Sequence, residues 1–230
     1  MWIEEALVGE IDSPRFDAIL FDLGGVLMKN RGLQRLAELT GEENGPALHS
    51  KWFTSKWVQA FERGKCDADT FGEGVVADFG LDLTPAEFVD DFARWPAGPF
   101  AGTIELVRSL HGTIPMACLA NTNPAHWQQH LDRWGVVDYF DWTFVSHELG
   151  LMKPDPAMFR HVIRTIGTTA DRLLFLDDHN QHVMAAREFD IHAVQTRGVG
   201  EVYEALVSLL PPDSSAGRAL RSMPSPAQGS

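Results

Sequence analysis

Apolar residues fall along this chain in two alternating patterns. Short apolar stretches, mostly continuous, lie at 18–21, 115–119, 139–145 and 173–176, with a fifth candidate at 192–196. Between them, apolar positions recur at three- and four-residue spacing at 104–110, 124–134, 158–166 and 181–189. The continuous runs predict short buried strands, and the spaced ones predict helices. Pro124 suits the first turn of its helix, where its missing N–H costs nothing. Strand and helix in alternation predict an α/β fold, with a parallel sheet covered by helices on both faces.

The segment 31–99 breaks this alternation. It carries helical patterns at 33–39, 48–62, 69–79 and 85–93 and no strand-like run. It reads as an all-helical insertion into a core made of 16–30 and 100–210. Trp52, Trp57 and Trp95 fall in it or at its edge, where packing is their expected role. Residues 1–15 read as an N-terminal extension ending near Ser13-Pro14. The stretch 211–230 is rich in Pro, Ser, Gly and Ala and is expected to be a disordered tail.

Polar chemistry gathers where the strands end. Asp22 follows the first, Asn121 and Thr122 the second. Lys153 comes after the third, and Asp177 with Asp178 close the fourth. Ligands of a parallel α/β sheet bind beyond the carboxyl ends of its strands. Three carboxylates and a lysine on that rim form a metal-plus-phosphate arrangement. The acids suit a hard cation such as Mg²⁺, and the lysine offsets phosphoryl charge.

Charge narrows the partners. Lys and Arg number 19 against 32 Asp and Glu, a formal net charge of −13. Such a chain has no general attraction to nucleic acid or to an anionic membrane surface. A phosphate group must be held locally, by a metal, a few cations or backbone N–H groups. Two cysteines, Cys66 and Cys118, make neither a disulfide scaffold nor a zinc site, and a reducing, cytoplasmic location is expected. No apolar run is long enough for a transmembrane helix, and the N-terminus lacks the basic start of a secretory signal. His126 and His130 stand four apart on one expected helix, a spacing zinc could use, but no third ligand is evident.

Four segments, in order, carry a family resemblance: Phe21-Asp22-Leu23-Gly24-Gly25-Val26-Leu27, Leu119-Ala120-Asn121-Thr122-Asn123, Gly150-Leu151-Met152-Lys153-Pro154-Asp155-Pro156 and Phe175-Leu176-Asp177-Asp178. Together they resemble the motifs of the haloacid dehalogenase-like hydrolases, over about 16–197. The resemblance implies a Rossmann-like core, with 31–99 as a helical cap. It implies that Asp22 is a nucleophile forming an aspartyl-phosphate, with Lys153 contacting both Asp22 and the phosphate. Asp22, the Gly24 carbonyl and Asp178 would hold Mg²⁺ directly, with Asp177 bound through water or orienting the site. Asn121 would help orient the transferring group.

Two positions depart from the family pattern. Gly24 stands where a phosphatase usually has a second aspartate, the acid and base of the reaction. Its loss typically costs about 10²–10⁴ in rate, and less when the leaving group needs no proton. Ala120 replaces a Ser or Thr hydroxyl that donates to phosphate. It retains its backbone N–H, and Thr122 is the nearest substitute hydroxyl. The expected function is Mg²⁺-dependent hydrolysis of a small phosphorylated metabolite. The alternatives are a catalytically impaired binding module and a metal-independent dehalogenase.

Overall fold

The computed structural model describes residues 16–226, so the 1–15 extension lies outside the described residues. Strand β1 (Ala18–Phe21) is followed by a short β2 (Met28–Asn30). Five helices come next: α1 (Gly32–Thr40), α2 (Pro46–Phe53), α3 (Lys56–Glu62), α4 (Ala68–Phe79) and α5 (Pro85–Phe92). Strand β3 (Pro96–Pro99) then pairs antiparallel with β2. Helix and strand alternate from there: α6 (Thr103–Leu110), β4 (Met116–Ala120), α7 (Pro124–Arg133), β5 (Trp142–Val145), α8 (Ser146–Leu149), α9 (Pro156–Ile166), β6 (Leu173–Asp177), α10 (Asn180–Arg187), β7 (His192–Gln195), α11 (Gly198–Leu209) and α12 (Ser215–Ser222).

The main sheet has the order β5-β4-β1-β6-β7, and every pair in it is parallel. β1 lies at its centre and is buried on both faces, which is why Ala18–Phe21 is apolar without alternation. Ile19 and Phe21 point to one face with Cys118, Leu174 and Leu176 under α6 and α11. Ala18 and Leu20 point to the other with Leu119, Phe175, Phe159 and Val183 under α9 and α10. This is the expected α/β architecture, a Rossmann-like sheet with helices on both faces.

Helices α1–α5 build a separate apolar cluster of their own. Trp52, Phe71, Phe88, Phe92 and Trp95 are buried in it, with Phe61 stacked on Phe71 at 4.4 Å between centroids. Trp57 lies flat on Gly74, where an added Cβ would come within 2.2 Å of its ring. The antiparallel β2–β3 ribbon carries both crossings between this cluster and the sheet.

Three expectations change. The segment 31–99 does contain a strand, β3, which the prolines at 96 and 99 disguised. The helical pattern at 48–62 is two helices. Thr54 ends α2 with its hydroxyl donating back to Ser50 O at 2.7 Å, and Ser55 restarts the chain in extended geometry. Short hydroxyl side chains compete in this way with helix hydrogen bonds. Finally, the stretch after Pro211 is not a disordered tail over its whole length. Ser214 caps α12 by accepting from the Gly217 N–H at 3.0 Å, and Leu220 is fully buried against α6 and α11. Leu220→Ala is therefore expected to cost about 2–5 kcal/mol, read as a lowered urea midpoint at unchanged slope.

Candidate functional site

The parallel register assembles the site. Phe21 pairs with Cys118 on one side and Leu176 on the other. Asp22 thus emerges beside the end of β4 and beside Asp177, with its N–H donating to Leu176 O at 2.9 Å. Lys153 reaches the same point from the loop between α8 and α9. Asn121 holds that loop at both ends of one residue. Its Nδ2 donates to Lys153 O and its Oδ1 accepts from Lys153 N–H, each at 2.8 Å. The amide expected to orient a transferring group is thus occupied with the lysine's main chain.

The Lys153 ammonium is fully buried and donates to Asp22 Oδ1 at 2.7 Å and Asp177 Oδ2 at 2.6 Å. It lies 5.3 Å from the centre of the Phe175 ring. Burial alone would favour a neutral amine, but the two carboxylates outweigh it and hold the lysine above its ordinary pKa. Asp177 is also fully buried. Desolvation pushes its carboxyl up, yet Lys153 and the His182 hydrogen bond overcome this and hold it well below the usual range. His182 stays neutral, because burial lowers its pKa, and its Nδ1–H donates to both Asp177 oxygens at 3.1 Å. The His179 N–H donates to Asp177 Oδ1 at 2.7 Å.

Asp22 is held differently. Burial raises its carboxyl to about 7 against the pull of Lys153, and Asp177 and Asp178 add to the rise. Its Oδ2 accepts no hydrogen bond among the described residues. One oxygen each from Asp22, Asp177 and Asp178 lies within 4.8 Å of the others. Three carboxylate oxygens in that space fit a hard divalent cation. A second grouping, Asp177 with His179 and His182, meets the same distance; in both groupings the Asp177 oxygens also accept from Lys153, the His179 N–H and His182.

Gly25 lets Asp178 approach. It has φ of +77°, and an added Cβ would sit 2.4 Å from Asp178 Oδ2. The sequence singles out Gly24 but not Gly25, because only the folded loop shows the approach. Gly25→Ala is expected to cost roughly 1–2 kcal/mol from the left-handed backbone alone, and to push Asp178 from its two neighbours. The fall in melting temperature should persist in Gly25→Ala/Asp178→Gly at the backbone share only. A full fall in that double variant would show the contact to be irrelevant.

Around Gly24 the space is open, with nothing within 4 Å of where a Cβ would be. Gly24, Ala120, Asn121 and Thr122 share a small cavity with Met28, Asn30 and Pro96 of the ribbon. Ser146 Oγ fixes Thr122 from behind, accepting from its N–H and donating to its carbonyl, both at 2.9 Å. The two departures from the family pattern thus open on one space. Asp155 serves as a helix cap, accepting from Ala157 N–H at 2.8 Å. His126 uses both ring nitrogens internally, against Phe92 O and the Asn123 amide, so it is no zinc ligand. Cys118 is buried in the sheet, and burial pushes its thiol up out of reactive range.

The chain is 29% identical over 176 residues to a sesquiterpene phosphatase of Aspergillus oryzae, covering 75% of this chain and 85% of that one. It is 23% identical to a D-ribitol-5-phosphate phosphatase of Bacteroides thetaiotaomicron, covering 84% and 97%. Among solved structures, a haloacid dehalogenase family enzyme of Bacteroides thetaiotaomicron in complex with magnesium and inorganic phosphate superposes with a TM-score of 0.66. It is 22% identical and covers 80% of this chain and 95% of that one. An L-2-haloacid dehalogenase of Xanthobacter autotrophicus shares the fold at a TM-score of 0.60 and 19% identity, over 89% and 88% of the two chains. The family model for the haloacid dehalogenase-like hydrolases matches residues 16–190, more than half of the chain. The chain belongs to that family of hydrolases, as its four strand-end motifs imply.

Proposed function

We propose that this chain is a Mg²⁺-dependent phosphomonoester hydrolase acting on a small phosphorylated metabolite through an aspartyl-phosphate on Asp22. The observation that carries this reading is the buried Lys153 ammonium shared between Asp22 and Asp177 beside a third carboxylate. Lys153 holds Asp22 Oδ1 and leaves Oδ2 free to attack phosphorus in line with the departing oxygen. Asp22, the Gly24 carbonyl and Asp178 would hold the cation, which when bound offsets the charge between the carboxylate and the phosphoryl oxygens. Asp177, locked by Lys153, His179 and His182, orients these groups. The Ala120 N–H and Thr122 contribute to the phosphate pocket, and Asn121 acts by fixing Lys153.

The helical cluster of α1–α5 acts as a cap that excludes water from the first step and selects the substrate. Two of the relatives are by name phosphatases, one of sesquiterpenes and one of D-ribitol 5-phosphate. They support the phosphomonoester class and do not choose within it. A dehalogenase would have no use for the Asp178 carboxylate beside Asp22, so the cation cluster favours the phosphatase reading.

The test is phosphate release from p-nitrophenyl phosphate and a panel of sugar and prenyl phosphates, in Mg²⁺ and in EDTA. Asp22→Asn prepared in parallel is the blank. Turnover that needs Mg²⁺ and disappears in the variant is the expected result. Wild-type rates equal to the blank on every compound would leave a binding module in its place.

A further inference from the structure

Gly24 removes the side chain that should protonate the leaving group, yet the structure supplies another carboxyl nearby. Glu62 is the last residue of α3. It makes no hydrogen bond or ion pair among the described residues. The end of α3 is seated firmly on the sheet domain. A Cβ on Gly64 would fall 2.3 Å from the His147 carbonyl of α8, so the chain there lies in direct contact with that turn. From the preceding helix, Phe53 meets the His179 ring edge-on at 5.5 Å. These two contacts hold the end of α2 against His179, next to Asp177 and Asp178, and the end of α3 against α8.

The Glu62 carboxyl is half-buried in this position. Burial pushes it up to about 7, and the groups whose charges reach it are Arg63 beside it, then His179, Lys153 and Asp22. Three of those four belong to the site. A carboxyl poised near neutrality can give a proton at one step and take one at the next. The other half of the observation is the open space at Gly24, where nothing lies within 4 Å of a Cβ position. No side chain at Gly24 therefore competes for the proton of the leaving oxygen.

We propose that Glu62 is the general acid and base of this enzyme, acting from the helical layer in place of the side chain that Gly24 lacks. The inference rests on the phosphatase reading above. In the first step Asp22 Oδ2 bonds to phosphorus as the bond from phosphorus to the ester oxygen breaks. The Glu62 proton passes to that oxygen, and the free alcohol leaves. In the second step Glu62, now a carboxylate, takes a proton from water as the water oxygen bonds to phosphorus. The bond from phosphorus to Asp22 breaks, giving inorganic phosphate and restoring both carboxyl groups.

Glu62→Gln is the test, with Glu62→Asp beside it, on alkyl and aryl phosphates. An alkoxide needs a proton to leave, whereas p-nitrophenolate does not. Glu62→Gln is expected to lower kcat/KM for alkyl phosphates by about 10²–10³-fold while the transfer step from p-nitrophenyl phosphate falls by less than about tenfold. The limb of the wild-type alkyl-phosphate pH profile that falls above neutrality should vanish in Glu62→Gln, and Glu62→Asp should recover part of the rate. Neither variant has a hydrogen bond to lose, so neither should melt below the wild type, and Glu62→Gln, which has no proton to give up, should melt at or above it at pH 8. Equal losses on both ester classes, or a lowered melting temperature that accounts for them, would make Glu62 structural and overturn the proposal. So would alkyl-phosphate rates within twofold of wild type. Wild-type protein without Mg²⁺- and Asp22-dependent turnover on any ester would instead remove the phosphatase reading, and this inference with it.

Discussion

Lys153→Met is expected to be the most damaging single change in the molecule. The ammonium is fully buried and bonded at 2.7 Å and 2.6 Å to Asp22 and Asp177. Methionine fills similar space but leaves two buried carboxylates facing each other, with Asp178 alongside. Breaking a buried pair by removing one partner typically costs about 3–5 kcal/mol. For a chain of this size that lowers the melting temperature by roughly 10 °C. The pH dependence identifies the cause. Asp177 is held below its ordinary range, so its contribution is present above the unfolded carboxylate pKa and fades as pH falls. Lys153 is held above its own, so its contribution is present below the unfolded lysine pKa and fades only in strong alkali. Wild type and variant should differ most across neutral pH and converge towards acid, where the orphaned carboxylates take up protons. A difference that stays constant down to pH 3 in calorimetry would mean that packing, not charge, is lost. Turnover should fall at least about 10²-fold, as for other buried groups that stabilise transferring charge.

The parts of this site visible in the sequence share a physical reason. Strands buried on both faces need continuous apolar runs, so 18–21 and 173–176 stand out, and the polar residue that ends each run marks the rim. Asp22 and Asp177 were legible in this way, together with the α/β class, whereas Lys153, eight residues past its run, stood out only through the Lys153-Pro154-Asp155-Pro156 segment and the family resemblance. Residues that act through tertiary approach were not legible. Gly25 matters because Asp178 comes within 2.4 Å of its missing Cβ, and nothing in the local pattern says so. Asn121 bonds to a residue 32 positions away, and its type alone does not tell a phosphate ligand from a loop clamp. Glu62 ends a helix that looks merely amphipathic, and its site neighbours lie far along the chain. Helix α12 escaped for a different reason. Its buried surface comes from Ala216, Gly217 and Leu220, too few apolar residues to stand out in a Ser- and Pro-rich stretch.

The same cluster makes an opposite prediction for Asp22. Asp22→Asn is expected to reduce phosphate release by a factor on the order of 10⁴–10⁶, the scale on which loss of an attacking side chain is felt. Yet in metal-free buffer the variant should be the more stable protein. Burial, with Asp177 and Asp178 nearby, raises the folded-state pKa of Asp22 to about 7. As pH rises from about 4, the unfolded chain gives up this proton before the folded one does. The wild type therefore loses stability between roughly pH 4 and pH 7 and levels off above. Asparagine carries no such proton and still offers an oxygen to Lys153. A tenfold difference in proton affinity between the folded and unfolded chains is worth about 1.4 kcal/mol, and the raised value already contains the pull of Lys153, so a net advantage of at least about 1 kcal/mol is expected at pH 8 in EDTA. It should shrink to nothing near pH 4. Saturating Mg²⁺ should reverse the order at pH 8, since a cation that needs the Asp22 carboxylate stabilises only the wild type by mass action. Calorimetry of both proteins at the two pH values, with and without Mg²⁺, reads all of this directly. An Asp22→Asn protein that melts below wild type at pH 8 in EDTA would show that Lys153 already neutralises Asp22 without metal. A reversal with Mg²⁺ would show that the strain of holding three acids together is the cost of keeping the cation and nucleophile ready in one place.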